Sequence, residues 1–187
     1  VYTMILAFTG AGISRASGIP TFGEQPDIRS YLTRDFAGIY PNQYKDVIRK
    51  LQDTCEAAAP NDAHLALVEY DIPVITMNVD GLHQRAGSKH VLPIHGTLPD
   101  IVLYGDPAPH YQDAYSWVDR LRTGDTFLIV GTSYYTNVSA ILKFNALRYG
   151  ADVIEINDNA EHCVRKFLSK AKVGVETFEE FMERKIV

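Results

Sequence analysis

The stretch Thr9-Gly10-Ala11-Gly12-Ile13-Ser14-Arg15-Ala16-Ser17-Gly18-Ile19-Pro20-Thr21-Phe22 decides the fold. It follows the apolar run Met4 to Phe8, which has no polar break and is too short for a helix, so the run reads as a buried strand. Two glycines come at once, then Ser14 and Ser17. A strand, a glycine turn and a helix start form the layout that cradles a nucleotide pyrophosphate. Glycine lets backbone N–H groups approach the phosphates, and a helix N-terminus adds partial positive charge. The common dinucleotide fingerprint G-x-G-x-x-G is not completed, because counting from Gly10 puts Arg15 at the third glycine. The short Gly-Ala-Gly is equally compatible with a purely structural turn.

Working outward, strand and helix patterns alternate. Gly23 to Pro41 is rich in breakers (Gly23, Pro26, Gly38, Pro41) and reads as a long loop with one helical turn, placed like a lid beside a nucleotide site. Gln43 to Ala58 is helical, with Tyr44, Val47, Ile48 and Leu51 on one face. Asn61 is an N-cap for a second helix, on which His64 reads as a packed core histidine. Strands are predicted at Pro73–Met77, Val91–Ile94, Pro99–Tyr104, Thr126–Val130 and Val153–Ile156. Helices are predicted after Asn78 and over Tyr111–Leu121, Val138–Tyr149, Glu161–Ala171 and Thr177–Lys185. This alternation predicts an α/β fold with a doubly wound, mostly parallel sheet, in one domain spanning residues 1–187. In such sheets ligands bind beyond the C-terminal strand ends. Gly10, Gly12, Asn78, Asp80, His95, Gly131 to Ser133 and Asn157 all fall there.

The 187 residues are 46% hydrophobic, which is ordinary for a globular chain, and carry a net charge of −5. That charge argues against a nucleic-acid partner. No apolar run approaches a membrane span, and Val1–Phe8 lacks the basic flank of a signal peptide, so a cytoplasmic protein with no membrane partner is expected. The two cysteines, Cys55 and Cys163, are expected as buried thiols, and without a C-x-x-C they cannot form a zinc ribbon.

Asn78, Asp80 and His95 form the candidate active constellation. Taken alone, Asn78 and Asp80 also suit an Asx turn after a strand, and His95 suits a satisfied polar residue at a sheet edge. The wider motifs bear on that choice. Gly-Ala-Gly-Ile-Ser from Gly10, followed by Ser17-Gly18-Ile19-Pro20-Thr21-Phe22, resembles the opening motif of the sirtuins, the NAD-dependent protein deacylases. The segments Pro60–Leu67, Thr76–Gly87, Pro93–Gly96, Pro99–Asp106, Gly131–Ser133 and Glu155–Asn157 resemble further sirtuin motifs in the family's order.

The resemblance implies a Rossmann-like NAD-binding fold, NAD as cofactor and an acylated-lysine protein or peptide as partner. It implies that His95 is the general base, that Asp80 and the Val79 backbone grip the nicotinamide carboxamide, and that Asn78 orients water and ribose. It implies that Phe22 covers the reacting ribose. Gly10, Ala11, Gly12, Ser14, Ile19, Thr21, Gly131, Thr132, Ser133 and Asn157 would complete the cofactor site, and Ile101, Val102, Tyr104 and Gly105 the peptide-pairing strand. Histidine titrates near neutrality and suits removal of a proton from a ribose hydroxyl.

Three departures qualify the likeness. The family's four-cysteine zinc module is missing, since only Gly96-Thr97-Leu98 separates His95 from Pro99, so no zinc is expected. The family's arginine after Pro-x-Phe is Gly23, and the glutamine before its asparagine is Met77. Both changes remove polar contacts from the implied NAD site. NAD hydrolysis, protein ADP-ribosylation and a non-catalytic NAD or ADP-ribose sensor are therefore the alternatives to deacylation. A Tyr-x-x-Arg pair marks family members that prefer acidic acyl groups. Tyr31 and Arg34 have that spacing, but lie too close to the glycine turn and are taken as coincidence.

Overall fold

The computed structural model describes residues 3–21, 24–25, 27–133, 136–171 and 176–186. Its centre is a five-stranded, all-parallel sheet. The strands are β1 (Ile5–Thr9), β2 (Val74–Thr76), β3 (Val91–Pro93), and, after a small hairpin of β4 (Gly96–Thr97) and β5 (Asp100–Ile101), β6 (Thr126–Val130) and β7 (Asp152–Ile156). The order across the sheet is β3-β2-β1-β6-β7. Register pairs Phe8 with Ile75 on one side and with Ile129 on the other. The chain winds one way from β1 to β3 and the other way to β6 and β7, so the topological switch point lies between β1 and β6.

The strands read as unbroken apolar runs because both sheet faces are covered. Leu6, Phe8, Ile75, Phe127 and Ile129 point to one face. There they meet α6 (Tyr111–Val118), α7 (Asn137–Arg148) and α9 (Phe178–Glu183) through Ala114, Val118, Leu142, Ala146 and Phe181. Ile5, Ala7, Val74, Leu128 and Val130 point to the other. They meet α4 (Asp62–Glu69) and α8 (Ala160–Lys170) through Ala63, Ala66, Leu67, Val164 and Leu168.

A buried ion cluster pins the N-terminal edge. Asp125, 1% exposed, accepts the Met4 N–H at 2.8 Å and the Arg122 N–H at 2.8 Å, and pairs with Arg184, which also holds Glu176. Two cavities, of about 320 and 200 Å³, open at this same edge beside Ile72, away from the C-terminal strand ends.

Three expectations are corrected. The segment expected as a loop over 23–41 holds two helices, α1 (Ile28–Tyr31) and α2 (Arg34–Ile39), and runs straight into α3 (Pro41–Ala57). Thr33 caps α2 by accepting the Phe36 N–H, and Pro41 sits at the first position of α3, where its missing N–H costs nothing. These helices form a small third core, with Leu32, Ile48 and Leu103 at its centre. The helix after the glycine turn is a 3-10 helix, Ala11–Ser17, ended by Gly18 in the left-handed conformation. The strand expected at Pro99–Tyr104 shrinks to β5, two residues paired antiparallel to β4. Cys55 is buried and Cys163 half-buried, both free; burial pushes the Cys55 thiol up to about 11. Among the described residues no helix is long and apolar enough to cross a membrane.

Candidate active site

The C-terminal ends of β1 and β6 approach so closely that side chains are excluded between them. A Cβ on Gly12 would stand 2.7 Å from Gly131 Cα, and one on Gly131 would stand 2.3 Å from the Ile13 nitrogen. Gly131 also has φ +69°. The Gly10 N–H donates to Val130 O and the Gly12 N–H to Gly131 O, both at 2.9 Å. These glycines therefore stitch two loops together, and their N–H groups are already engaged. The missing side chains serve backbone packing at the switch point.

The next four consecutive residues tie this floor to the rest of the site. Met77 O accepts from His95 Nδ1 at 3.3 Å. Asn78 Nδ2 donates to Gly10 O at 2.9 Å. Val79 O accepts the Leu98 N–H at 2.9 Å. Asp80 Oδ2 accepts the Ser14 hydroxyl at 2.7 Å, while Oδ1 caps α5 (Leu82–Ala86) through the Leu82 N–H. The segment after β2 thus brings together Gly10, Ser14, Asn78, Asp80 and His95.

Behind Asp80 lies a hydrogen-bond chain that the sequence reading left aside. The Asn61 N–H donates to His64 Nδ1 at 3.1 Å, completing a capping box on α4. Its proton must then sit on Nε2, which faces Ser14 Oγ at 3.4 Å. Ser14 passes the polarity on to Asp80. His64 is the packed helix histidine expected, and it also sets the direction of the serine. The signal was present, since Asn61 and His64 stand at capping-box spacing. A second buried histidine, His83, contacts Thr9 Oγ1 at 2.8 Å and stacks edge-on against His64 at 5.0 Å. Burial lowers both rings, His64 to about 4 and His83 to about 3, so both are neutral at pH 7. His95, half-buried between Met77 O and Tyr111, is also lowered by burial, against the opposing pull of the Met77 carbonyl.

The remaining candidates are placed as follows. Ala11 opens the 3-10 helix and Ile19 follows it, both half-buried. Thr21 bonds Glu24, which also pairs with Arg15. Phe22 and Gly23 lie outside the described residues. Thr132 is buried and its N–H donates to Asn157 Oδ1 at 3.2 Å, while Ser133 is exposed. Met77 turns toward α7, where its sulfur accepts from Thr136 and Ser139. On the expected peptide segment, Ile101 lies in β5 and the N–H groups of Val102 and Tyr104 are taken by His95 O and Leu32 O. Tyr104 O accepts from Arg34, and Gly105 (φ +95°) turns the chain so that Asp106 forms a two-pronged pair with Arg34. That pair holds Asp106 at about 2 and leaves Arg34 committed.

Polar groups line this crevice at the ends of β6 and β7. Thr132 Oγ1 is buried with no partner among the described residues. The exposed Ser133 hydroxyl and Asn157 amide stand beside it at the ends of β6 and β7. Among the described residues, no three His, Cys, Asp or Glu side chains gather as a metal site.

The sequence model of the Sir2 family matches residues 10–99, the part of the chain that builds this crevice from the glycine turn to His95. An NAD-dependent protein deacetylase of Bacillus cereus is 32% identical, with 82% of each chain covered. The chain belongs to the Sir2 family. A second relative in the Sir2 set, NAD-dependent protein deacylase 1 of Caldanaerobacter subterraneus, is 29% identical over 97% of this chain and 93% of its own. The crystal structure of a Sir2 homolog–NAD complex superposes with a TM-score of 0.79, covering 90% of this chain and 89% of that one at 23% identity. A Sir2 homologue in complex with 2′-O-acetyl ADP ribose gives 0.80, covering 90% and 91% at 23% identity. These two likenesses establish a shared fold.

Proposed function

We infer that this chain is an NAD-dependent protein-lysine deacylase of the sirtuin type. Its deacetylase and deacylase relatives support that activity. The observation that carries the assignment of residues is the run 77–80, whose successive members bond to His95, Gly10, Leu98 and Ser14. One tetrapeptide thereby couples the floor of the crevice to a histidine of suitable chemistry.

In this reading NAD supplies a ribose carbon activated by loss of nicotinamide and a hydroxyl that accepts the acyl group. Asp80 presents its carboxylate in one orientation because both oxygens are already engaged by Ser14 and Leu82. Asn78, 9% exposed and anchored on Gly10 O, orients water and ribose hydroxyls. His95 takes a hydroxyl proton at Nε2, because Nδ1 is turned to Met77 O. Lowering by burial keeps the ring neutral and ready to accept at pH 7. Ser14, Thr132, Ser133, Asn157, Ile19 and Thr21 contact the dinucleotide, together with Ala11, above the floor that Gly10, Gly12 and Gly131 form. Ile101 to Gly105 receives the acylated peptide through the backbone groups that Leu32, Arg34 and His95 leave free. We propose further that the chain is a single, zinc-free domain working in the cytoplasm, supported by two isolated cysteines and the three-residue link from His95 to Pro99.

The test is nicotinamide release from NAD with and without an acetyl-lysine peptide. Peptide-dependent release is expected. Peptide-independent release would replace the reading by NAD hydrolysis, and binding without release by a sensor. His95→Ala should keep NAD binding within a few-fold and lose acyl transfer by roughly 10²–10⁴-fold.

A further inference from the structure

His95 has a second partner that the steps above leave without a role. Tyr111, the first residue of α6, places its hydroxyl 2.8 Å from His95 Nε2, with ring centroids 5.7 Å apart. The proton positions follow from the chemistry of the partners. A carbonyl oxygen only accepts, so Met77 O requires the ring proton on Nδ1. Nε2 then offers a lone pair, and the phenol O–H donates to it. Tyr111 is half-buried against the core below the sheet, and burial pushes its phenol up, so it remains a donor at neutral pH.

We propose that Tyr111 is a positioning residue for His95: the Met77 carbonyl sets the Nδ1–H tautomer, and the phenol holds the ring and its Nε2 lone pair in place until a substrate hydroxyl displaces it. The proposal rests on the reading of His95 as base. In the base step the substrate O–H bond breaks, the proton passes to Nε2 and the electron pair stays on the substrate oxygen. The new Nε2–H then donates to the phenol oxygen, which changes from donor to acceptor by turning about its C–O bond. Without the phenol, the side-chain tether that remains among the described residues is the 3.3 Å bond to Met77. That bond still keeps the proton on Nδ1, but the ring is free to swing about it, so Nε2 would spend less time aimed at the substrate hydroxyl.

The test is Tyr111→Phe, which keeps the ring, read in three ways. Acyl transfer should fall about tenfold, the scale of one hydrogen bond. Nicotinamide exchange, which needs no base, should stay within about twofold. The nitrogen-15 spectrum of His95 should show Nε2 as a hydrogen-bonded acceptor in the parent protein, with a loss of that signature in the variant. Added to His95→Ala, Tyr111→Phe should cost nothing further. Unchanged transfer and spectrum, with His95→Ala inactive, would overturn the role of Tyr111 and leave the base reading standing. An equal fall in exchange and transfer with an unchanged spectrum would make Tyr111 a packing residue and overturn the proposal. If His95→Ala keeps acyl transfer, the base reading falls, and the spectrum alone decides whether Tyr111 holds Nε2.

Discussion

Mild acid should destabilise this protein through His64 and His83. Both rings are buried and neutral, with folded pKa values of about 4 and about 3 against an ordinary 6.5. The unfolded chain therefore takes up two protons below pH 6.5 that the folded chain refuses. The stability these rings protect is complete above 6.5. It drains as pH falls, for His64 down to about 4 and for His83 down to about 3. Each pH unit costs about 1.4 kcal/mol per histidine, so at pH 5 each has removed about 2 kcal/mol, and together about 4 kcal/mol. That is a large share of a typical stability of roughly 5–15 kcal/mol. His95, also lowered by burial, acts in the same direction. Asp106, held at about 2, plays no part in this window. Urea unfolding at pH 7, 6 and 5 measures the slope, and His64→Gln and His83→Gln should each flatten it. A stability that is level between pH 7 and 5, or a slope that neither substitution changes, would refute the assignment of neutral buried histidines.

Gly131→Ala should cost about 2–4 kcal/mol and weaken NAD binding, because a Cβ would collide with the Ile13 nitrogen at 2.3 Å in a left-handed conformation. Thermal melting and calorimetric titration check this, and a wild-type melting temperature would contradict the close loop contact. Asp125→Asn should cost about 3–5 kcal/mol in urea, since it takes from the 6%-exposed Arg184 side chain one of its two carboxylate partners among the described residues. Chelator should leave the melting temperature unchanged, and elemental analysis should find no stoichiometric zinc; one zinc per chain would overturn the zinc-free reading.

Much of this architecture is legible in the sequence because local signals and burial agree. Thr126–Val130 is a strand at its predicted bounds, and Asn61 caps its helix as its side chain type demands. The misses have specific physical causes. Gly38 and Pro41 look like breakers, yet Gly38 lies inside α2 and Pro41 starts α3, a position that suits proline. Gly10 and Gly12 carry the right residue type for a phosphate turn, but the partner that demands glycine is Gly131, far along the chain and invisible to any local pattern. That Thr136 and Ser139 reach the Met77 sulfur has no local signal either, because it depends on where α7 packs. The pairing of Tyr111 with His95 has no periodicity to announce it, because it depends on where α6 packs.

The β4–β5 hairpin has a bearing on how such chains gain and lose parts. Thr97 and Asp100 stand directly opposite one another, joined only by Leu98 and Pro99. Partners across an antiparallel pair are about 5 Å apart. Any module whose own ends meet at that spacing can replace the turn without moving the strands on either side. The hairpin is thus a docking port in the covalent chain, where whole domains can be grafted or deleted as cassettes. Its turn starts three residues past His95, so a reporter inserted there would sit beside the chemistry while leaving the parallel sheet intact, an outcome that the melting temperature of the grafted protein would register.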